Sequence, residues 1–377
     1  MQFINDQNYS YWERKHFFNP FDLLVIGSGI VGLSTAISFR EKNPRASVLI
    51  LESGFMPNGA STKNAGFACF GSAGEVLDDL SQMPETSVWK TVKMRSDGLQ
   101  ILRDRLKDKN IDYRPYGGFE LFTDEKEFLQ CREQLPFLNK EMKRVLGFKT
   151  CYSEVSTGKM RFNGTKGAIL NAFEGQLDTQ LMMKNLTLLA RKKGIEILNG
   201  VTVSGFNDLG RSVEIISDKG IFKALKVVVA TNGFAKTLLS IKDVEPARAQ
   251  VLITKPITNL KIKGAFHFFK GYYYFRNIDN RILFGGGRNL DFKKETTQQQ
   301  GLNSKIQDHL QKLLKEMILP DTRFEIDQRW SGIMGVGSEK QPIIKFVSAN
   351  VLAAVRMGGM GIAIGSYVGE EASKKIS

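Results

Sequence analysis

Three glycines, Gly27, Gly29 and Gly32, stand in GxGxxG spacing within "FDLLVIGSGIVG", and a carboxylate, Glu52, follows twenty positions after the last of them. The chemistry these residues offer is the holding of a dinucleotide. Gly27 permits a tight turn, Gly29 lets a pyrophosphate approach the backbone, and Gly32 lets a helix pack closely on the preceding strand. Ser28, Ile30 and Val31 fill out that turn, where free N–H groups and the positive end of a helix dipole favour phosphate. Glu52 closes a second apolar run, "ASVLILE", and with Ser53 stands where a carboxylate accepts the hydroxyls of an adenosine ribose and repels a 2′-phosphate.

With 36 glycines in 377 residues, the spacing alone says little. Its surroundings say more. "FDLLVI" is a continuous apolar run of buried parallel-strand type, and "IVGLSTAISFREK" spaces Val31, Ser34, Ala36 and Ile37 as one side of a packed helix. A chain that binds only NAD would add further strand–helix units after Glu52. Here "SGFMPNGASTKNAGFACFGSAGE" follows, small, polar and glycine-rich, which suits a backbone passing close to a large ligand. An extended flavin fits better than a nicotinamide. No second strand–GxGxxG–helix unit occurs, because "GIMGVG" has the wrong spacing and "GGGR" lacks a following helix.

From about Phe21 to its C terminus the sequence resembles the D-amino-acid oxidase superfamily of FAD-dependent oxidoreductases, the branch that includes glycine oxidase, sarcosine oxidase and γ-glutamylputrescine oxidase. "GASTKNAGF" resembles the loop that threads beside the isoalloxazine ring, which implies cofactor contacts from Ser61, Thr62, Lys63, Asn64, Ala65 and Gly66. "GIEILNGVTVSGF" and "KVVVATNGFAKTLL" resemble late strands of the FAD domain, with Val203 at the adenine and Ala230, Thr231 and Gly233 near the cofactor. "RWSGIMGVGSEKQPIIK" resembles the return into that domain, bringing Gly332. The terminal "VRMGGMGIAIGSYVGEEASKKI" resembles the last loop and helix, with Gly358, Gly359, Met360, Gly361 and Ile362. The positive end of that helix would face the pyrimidine carbonyl, where two-electron reduction places negative charge.

The resemblance implies an α/β fold, a Rossmann-like FAD-binding domain with an interleaved α+β substrate domain built on an antiparallel sheet. Residues 20–84, 150–245 and 325–377 would form the first, 85–149 and 246–324 the second, and 1–19 an N-terminal extension. "IQDHLQKLLKEMI" reads as one helix of the substrate domain. The implied reaction oxidises a C–N bond of a small-molecule amine or amino acid by hydride transfer to flavin N5, with later hydrolysis of the imine. The electron acceptor is oxygen or another species. The FAD is expected to be non-covalent, because no His stands in "STKNAG" and no Cys in the terminal loop.

Two departures bear on the substrate. In glycine-oxidase-like members an arginine that grips the substrate carboxylate follows a Gly-Leu-type pair in the return segment; after Gly332 and Ile333 this chain has Met334. A second arginine, in the terminal loop, is replaced by Gly358 and Gly359. Arg356, Arg329, Arg276 and Arg288 remain as guanidinium donors able to match a carboxylate, with Tyr272 and Tyr274 as an aromatic wall. Arg356, beside the terminal glycines, is expected to anchor the substrate. An arginine in "RW" or "GGGR" is more often a structural ion-pair partner, and alternating tyrosines on a strand are more often packing. Leu283 stands where sarcosine-oxidase-like members carry a lysine near the ring, which points towards a dehydrogenase.

Lys and Arg exceed Asp and Glu by 53 − 39, a net charge of +14. The basic residues are dispersed among acids and read as a solvated surface, so a nucleic-acid partner is not expected. The charge keeps open a tRNA-associated flavoprotein, and the missing arginines keep open a non-catalytic flavin-binding protein. Three cysteines without CxxC spacing and three scattered histidines suggest neither a disulfide framework nor a metal site. The N-terminal stretch lacks a signal-peptide run, and the longest apolar run, Leu23 to Ile37, is cut by three glycines, so a cytoplasmic protein without a membrane span is expected.

Overall fold

The computed structural model describes residues 9–156 and 158–377. Residues 1–8 of the expected N-terminal extension lie outside the described residues. Within the extension, Tyr11–Phe17 forms a short helix capped by Ser10 and Glu13.

Two eight-stranded sheets organise the chain. In the first, Phe21–Ile26 lies between Val48–Glu52 and Gly220–Val229, parallel to both, and the parallel order extends to Glu196–Asn199 and Val351–Val355. The apolar runs of the central strands follow from burial on both faces. Leu23, Val25, Ile50, Val228 and Leu352 pack in the cluster built with helices Ile30–Lys42, Thr179–Lys192 and Gly361–Ile376. Leu24, Ile26, Leu51, Val229 and Ala353 pack in the opposite cluster, with Val213, Phe222 and Leu239.

Small residues set the close approach of the helices. A Cβ on Gly365 would lie 2.7 Å from Ile30 Cγ2, and one on Gly369 would lie 2.5 Å from Ser34 Cβ. Ser34 and Ser366 share a hydrogen bond of 3.2 Å at this crossing. Helices Ile30–Lys42 and Gly361–Ile376 therefore run in contact, and the N-terminal turns of both reach the same cavity. Gly98 does the same for the long helix Glu85–Leu106, since its Cβ would lie 2.3 Å from the Ala363 carbonyl oxygen.

The second sheet runs in the order Ile326–Val336, Glu245–Thr254, Arg281–Gly286, Tyr273–Ile278, Ala265–Phe268, Gly118–Phe122, Gly167–Asn171, Tyr152–Glu154. Three expectations change here. The boundaries at 150 and 325 cut through this sheet, because Tyr152–Glu154, Gly167–Asn171 and Ile326–Val336 pair within it rather than in the FAD-side sheet. The sheet is not wholly antiparallel, since Ala265–Phe268 runs parallel to Gly118–Phe122, a strand from a distant part of the chain. Helix Glu85–Leu106, within the stretch 85–149 expected in the substrate domain, serves both sheets: Val88, Trp89 and Val92 pack with Phe122, Tyr152 and Ile169 of the second, and Met94, Leu99, Leu102 and Leu106 in the core of the first.

The helix expected through Ile318 is α-helical over Ser304–Leu313 and continues as a π turn, Leu314–Ile318. The wider turn keeps Leu314, Met317 and Ile318 buried in the second sheet's core. Among the described residues no helix is long and apolar enough to cross a membrane.

Candidate active site

A cavity of about 940 Å³ lies between the two sheets, running from the glycine turn at Gly27 and Gly29 to the face of the second sheet. Its nucleotide end is built from local sequence. Gly27 adopts φ +102°, and a Cβ on Gly32 would lie 1.9 Å from the Gly27 carbonyl oxygen, so the turn and the close helix need these glycines. Gly29 caps helix Ile30–Lys42 without a side chain, and the Ile30 N–H donates to Ser61 Oγ at 3.0 Å. Other first-turn N–H groups find no acceptor inside a helix and are available to an anion.

Glu52 lines the cavity and is itself held in place. One oxygen accepts from the Ser28 N–H (3.0 Å) and the Ser28 hydroxyl (2.8 Å), and the other from the Gly54 N–H (3.0 Å). Ser53, Val203, Ala230 and Thr231 line the same end. The Thr231 hydroxyl is buried without a partner among the described residues. A fixed carboxylate, an orphaned hydroxyl and a glycine cradle are what an adenine dinucleotide requires, and the residues fit FAD.

Several expected contacts stand behind the cavity wall instead. Ser28 orients Glu52; Thr62 donates to the Pro57 carbonyl at 2.9 Å; and the space beside Gly233 is taken by the Met334 backbone. Gly66 (φ +74°) turns the loop beneath Arg276, whose Nη1 donates to the carbonyls of Gly66 (3.2 Å) and Leu177 (2.9 Å). Ser61, Lys63, Asn64 and Ala65 line the cavity. Trp330 Nε1 donates to the Lys63 carbonyl at 3.0 Å, and Gly332 admits Lys63 so closely that a Cβ would lie 2.8 Å from Lys63 Cβ.

The other wall follows from strand register. His267 pairs with Tyr274, Tyr274 with Gly285, Gly285 with Val251, and Val251 with Trp330, so one cross-strand row spans the sheet. His267, Tyr274 and Val251 from this row line the cavity, with Tyr272, Ala249 and Gly332 two residues along the chain from their row members and Met334 four from Trp330. Gly285 leaves room for the Tyr274 ring, which lies 2.7 Å from where its Cβ would be. Burial pushes the Tyr274 phenol up to about 12 and the His267 imidazole down to about 4, so both are neutral near pH 7. His267 Nδ1 is buried without a partner among the described residues.

Beside His267, Glu75 stands between Arg95 (3.0 Å) and Lys340 (3.4 Å). Burial would raise this carboxyl, but the two cations outweigh it and hold it at about 2. The terminal loop completes the cavity with Gly358, Gly359, Met360, Gly361 and Ile362, and helix Gly361–Ile376 begins there without a side-chain cap.

The arginines do not fall as expected. Arg356 is buried at φ +68° and does not line the cavity. It pairs with Asp243 and with Glu339 (3.2 Å), and its Nε donates to the Gln341 carbonyl at 2.8 Å, so it fastens the terminal loop and is no substrate anchor. Arg329 is likewise outside the cavity, held by the side-chain oxygens of Gln307 and Gln311. Arg288 does line the cavity, while Leu283 packs beside Ala65 and Val251.

The sequence reading missed His267, Glu75, Lys340 and Asn232. Asn232 Oδ1 accepts the N–H groups of Arg356 (3.1 Å) and Met357 (3.2 Å) and ties the loop after Thr231 to the terminal loop. The Asn-Gly pair in "ATNG" was its one visible signal.

The fold and this cavity define a dinucleotide-binding protein. Residues 22–375 match the profile of the family described as FAD dependent oxidoreductase, and the chain belongs to that family. It is similar to the probable oxidoreductase OrdL of Haemophilus influenzae, 22% identical over 94% of this chain and 82% of the relative. The γ-glutamylputrescine oxidoreductase of Escherichia coli is 23% identical over 90% of this chain and 80% of its own. Among solved structures, L-proline dehydrogenase from P. horikoshii matches with a TM-score of 0.76 at 18% identity, over 96% of this chain and 94% of that one, a likeness of fold.

Proposed function

We propose that the chain oxidises a C–N bond of a small amine or amino acid with non-covalently bound FAD. The observation that carries this reading is the continuity of one cavity, from the glycine turn at Gly27 to the wall made by His267, Tyr274 and Met334. Two similar proteins act, by their names, on γ-glutamylputrescine and on L-proline. When bound, FAD supplies a two-electron acceptor for the hydride of the C–H next to nitrogen.

The protein's part is to position the amine and keep it neutral. His267 and Tyr274 present uncharged hydrogen-bonding groups on one row, and Glu75 is already neutralised by Arg95 and Lys340. An incoming ammonium therefore gains no free counter-charge from that cluster, which favours the unprotonated amine that loses hydride. As the hydride leaves, the nitrogen lone pair forms the C=N bond and the N–H proton is released. Water then adds to the carbon, giving a carbonyl and the freed amine or ammonia. The start of helix Gly361–Ile376 favours negative charge developing beside it.

Met334 brings no charge to the wall; its sulfur lies 3.3 Å from where a Cβ on Gly359 would stand. A carboxylate directly on the reacting carbon finds no cation at that position. A larger amine, with its acid group farther away, is the better substrate. Steady-state assay of carbonyl release tests the reading, with oxygen and with an artificial dye as acceptors. Release from primary or secondary amines supports it; no release from any amine or amino acid with either acceptor contradicts it.

A further inference from the structure

Arg288 follows two glycines of positive φ, Gly286 (+120°) and Gly287 (+77°), which end strand Arg281–Gly286 and turn the chain along the cavity. Its guanidinium lies 5.0 Å from the Phe292 ring centroid, and Tyr272 meets the same ring edge-on at 6.3 Å. Tyr272, Arg288 and Phe292 all line the cavity.

The donors of this guanidinium are poorly claimed. Nη2 reaches Thr296 Oγ1 at a long 3.4 Å, and Nε is buried without an acceptor among the described residues. No carboxylate pairs with Arg288 among the described residues. Of the other cations on the cavity, Arg95 is bound to Glu75, Lys270 and Lys340 are held by Asp78 and Asp79, and Lys63, without an ion pair among the described residues, stands on the loop packed against Gly332. Burial lowers the Arg288 pKa from its usual value, and Glu295 and Tyr272 oppose the shift. Half-buried cationic charge without a counter-ion is costly, and an anionic ligand removes that cost.

We infer that Arg288 is the specificity-determining residue for the substrate's acid group, binding a carboxylate at the end of the cavity marked by Tyr272 and Phe292. The inference rests on the amine-oxidising reading but is tested apart from it. It places the acid group away from Met334 and selects amines that carry a carboxylate.

The test uses the FAD-loaded protein and its Arg288→Met and Arg288→Lys variants. Propionate and n-propylamine are titrated by calorimetry, which needs no turnover. Propionate binds the parent saturably and Arg288→Met at least about 10-fold more weakly, the scale of one charged hydrogen-bonding site. Arg288→Lys recovers part of that loss, and n-propylamine binding is unchanged in all three. With reactive amines, KM in Arg288→Met rises for carboxylated members and stays constant for their uncharged counterparts. Equal propionate affinity in parent and Arg288→Met overturns the assignment, as does an equal loss for n-propylamine, which marks a packing role. Failure of every amine to reduce the flavin, with propionate binding still dependent on Arg288, removes the oxidase reading and leaves the carboxylate site standing.

Discussion

Glu52 Oε2 accepts two hydrogen bonds from Ser28, one from its backbone N–H and one from its hydroxyl, so the last residue of one central strand is locked to the glycine turn that ends its neighbour. The carboxylate is oriented before any ribose arrives. Replacing Glu52 by Gln exchanges one accepting oxygen for a donor and loses a charge-assisted site, which costs about 1–3 kcal/mol of FAD affinity. Quenching of free FAD fluorescence on binding measures this; unchanged affinity places the ribose elsewhere.

Gly32→Ala drives a Cβ to 1.9 Å from the Gly27 carbonyl oxygen, a backbone atom that cannot swing away. The turn must open, at a cost of roughly 1–3 kcal/mol. Thermal unfolding at saturating FAD and at none separates the two consequences. The variant melts lower in both, and it gains less from FAD than the parent, because the displaced turn is part of the cradle.

Arg356→Met separates fastening from catalysis. Its removal leaves Asp243 and Glu339 without their cation and frees the terminal loop, but those carboxylates are 41% and 69% exposed, so water screens much of the loss. A decrease of about 1–2 kcal/mol is expected. FAD binds more weakly because the loop at Gly358 and Gly359 is less ordered, while KM for carboxylated amines stays within about twofold, against at least about 10-fold for Arg288→Met. A KM shift matching that of Arg288→Met contradicts this division.

The nucleotide end was legible in the sequence because its parts are close together. Turn, helix start and acid lie between Gly27 and Glu52, and each needs a particular residue type. The substrate end was legible only as candidates. Arg356 sits beside the terminal glycines in sequence, yet its partner Asp243 is 113 positions away, and nothing local declares that pair. His267 reaches the wall because Ala265–Phe268 pairs with both Tyr273–Ile278 and the distant Gly118–Phe122. Its register brings it opposite Tyr274, a relation that no spacing rule contains. The domain boundaries failed for a similar reason, since Ile326–Val336 reads as a return to the first sheet but finds its partner in Glu245–Thr254.

Acid sensitivity follows from two groups acting in the same direction. His267, lowered by burial to about 4 from an ordinary 6.5, is neutral in the folded chain while the unfolded chain takes up a proton, so stability falls as pH drops from about 6.5 to 4. Glu75, held at about 2 by Arg95 and Lys340, contributes stability above about 4.5 that is lost as pH falls through 4.5 towards 2. A His267→Gln variant is expected to lose on the order of 2 kcal/mol of the pH dependence between 6.5 and 4. Urea unfolding at intervals of pH measures it, and an unaltered profile shows that His267 is solvated.

The central claim, that this cavity lets a bound flavin oxidise a C–N bond, is tested most directly by anaerobic mixing. The purified protein, loaded with FAD, is combined with excess of each of a panel of primary, secondary and γ-glutamyl amines and both amino-acid enantiomers, and the oxidised-flavin absorbance is followed. At least one carboxylated amine is predicted to bleach the flavin fully and release one carbonyl product per FAD, with glycine and sarcosine slow or inert. FAD that binds stoichiometrically and stays oxidised with every member of the panel would contradict the account.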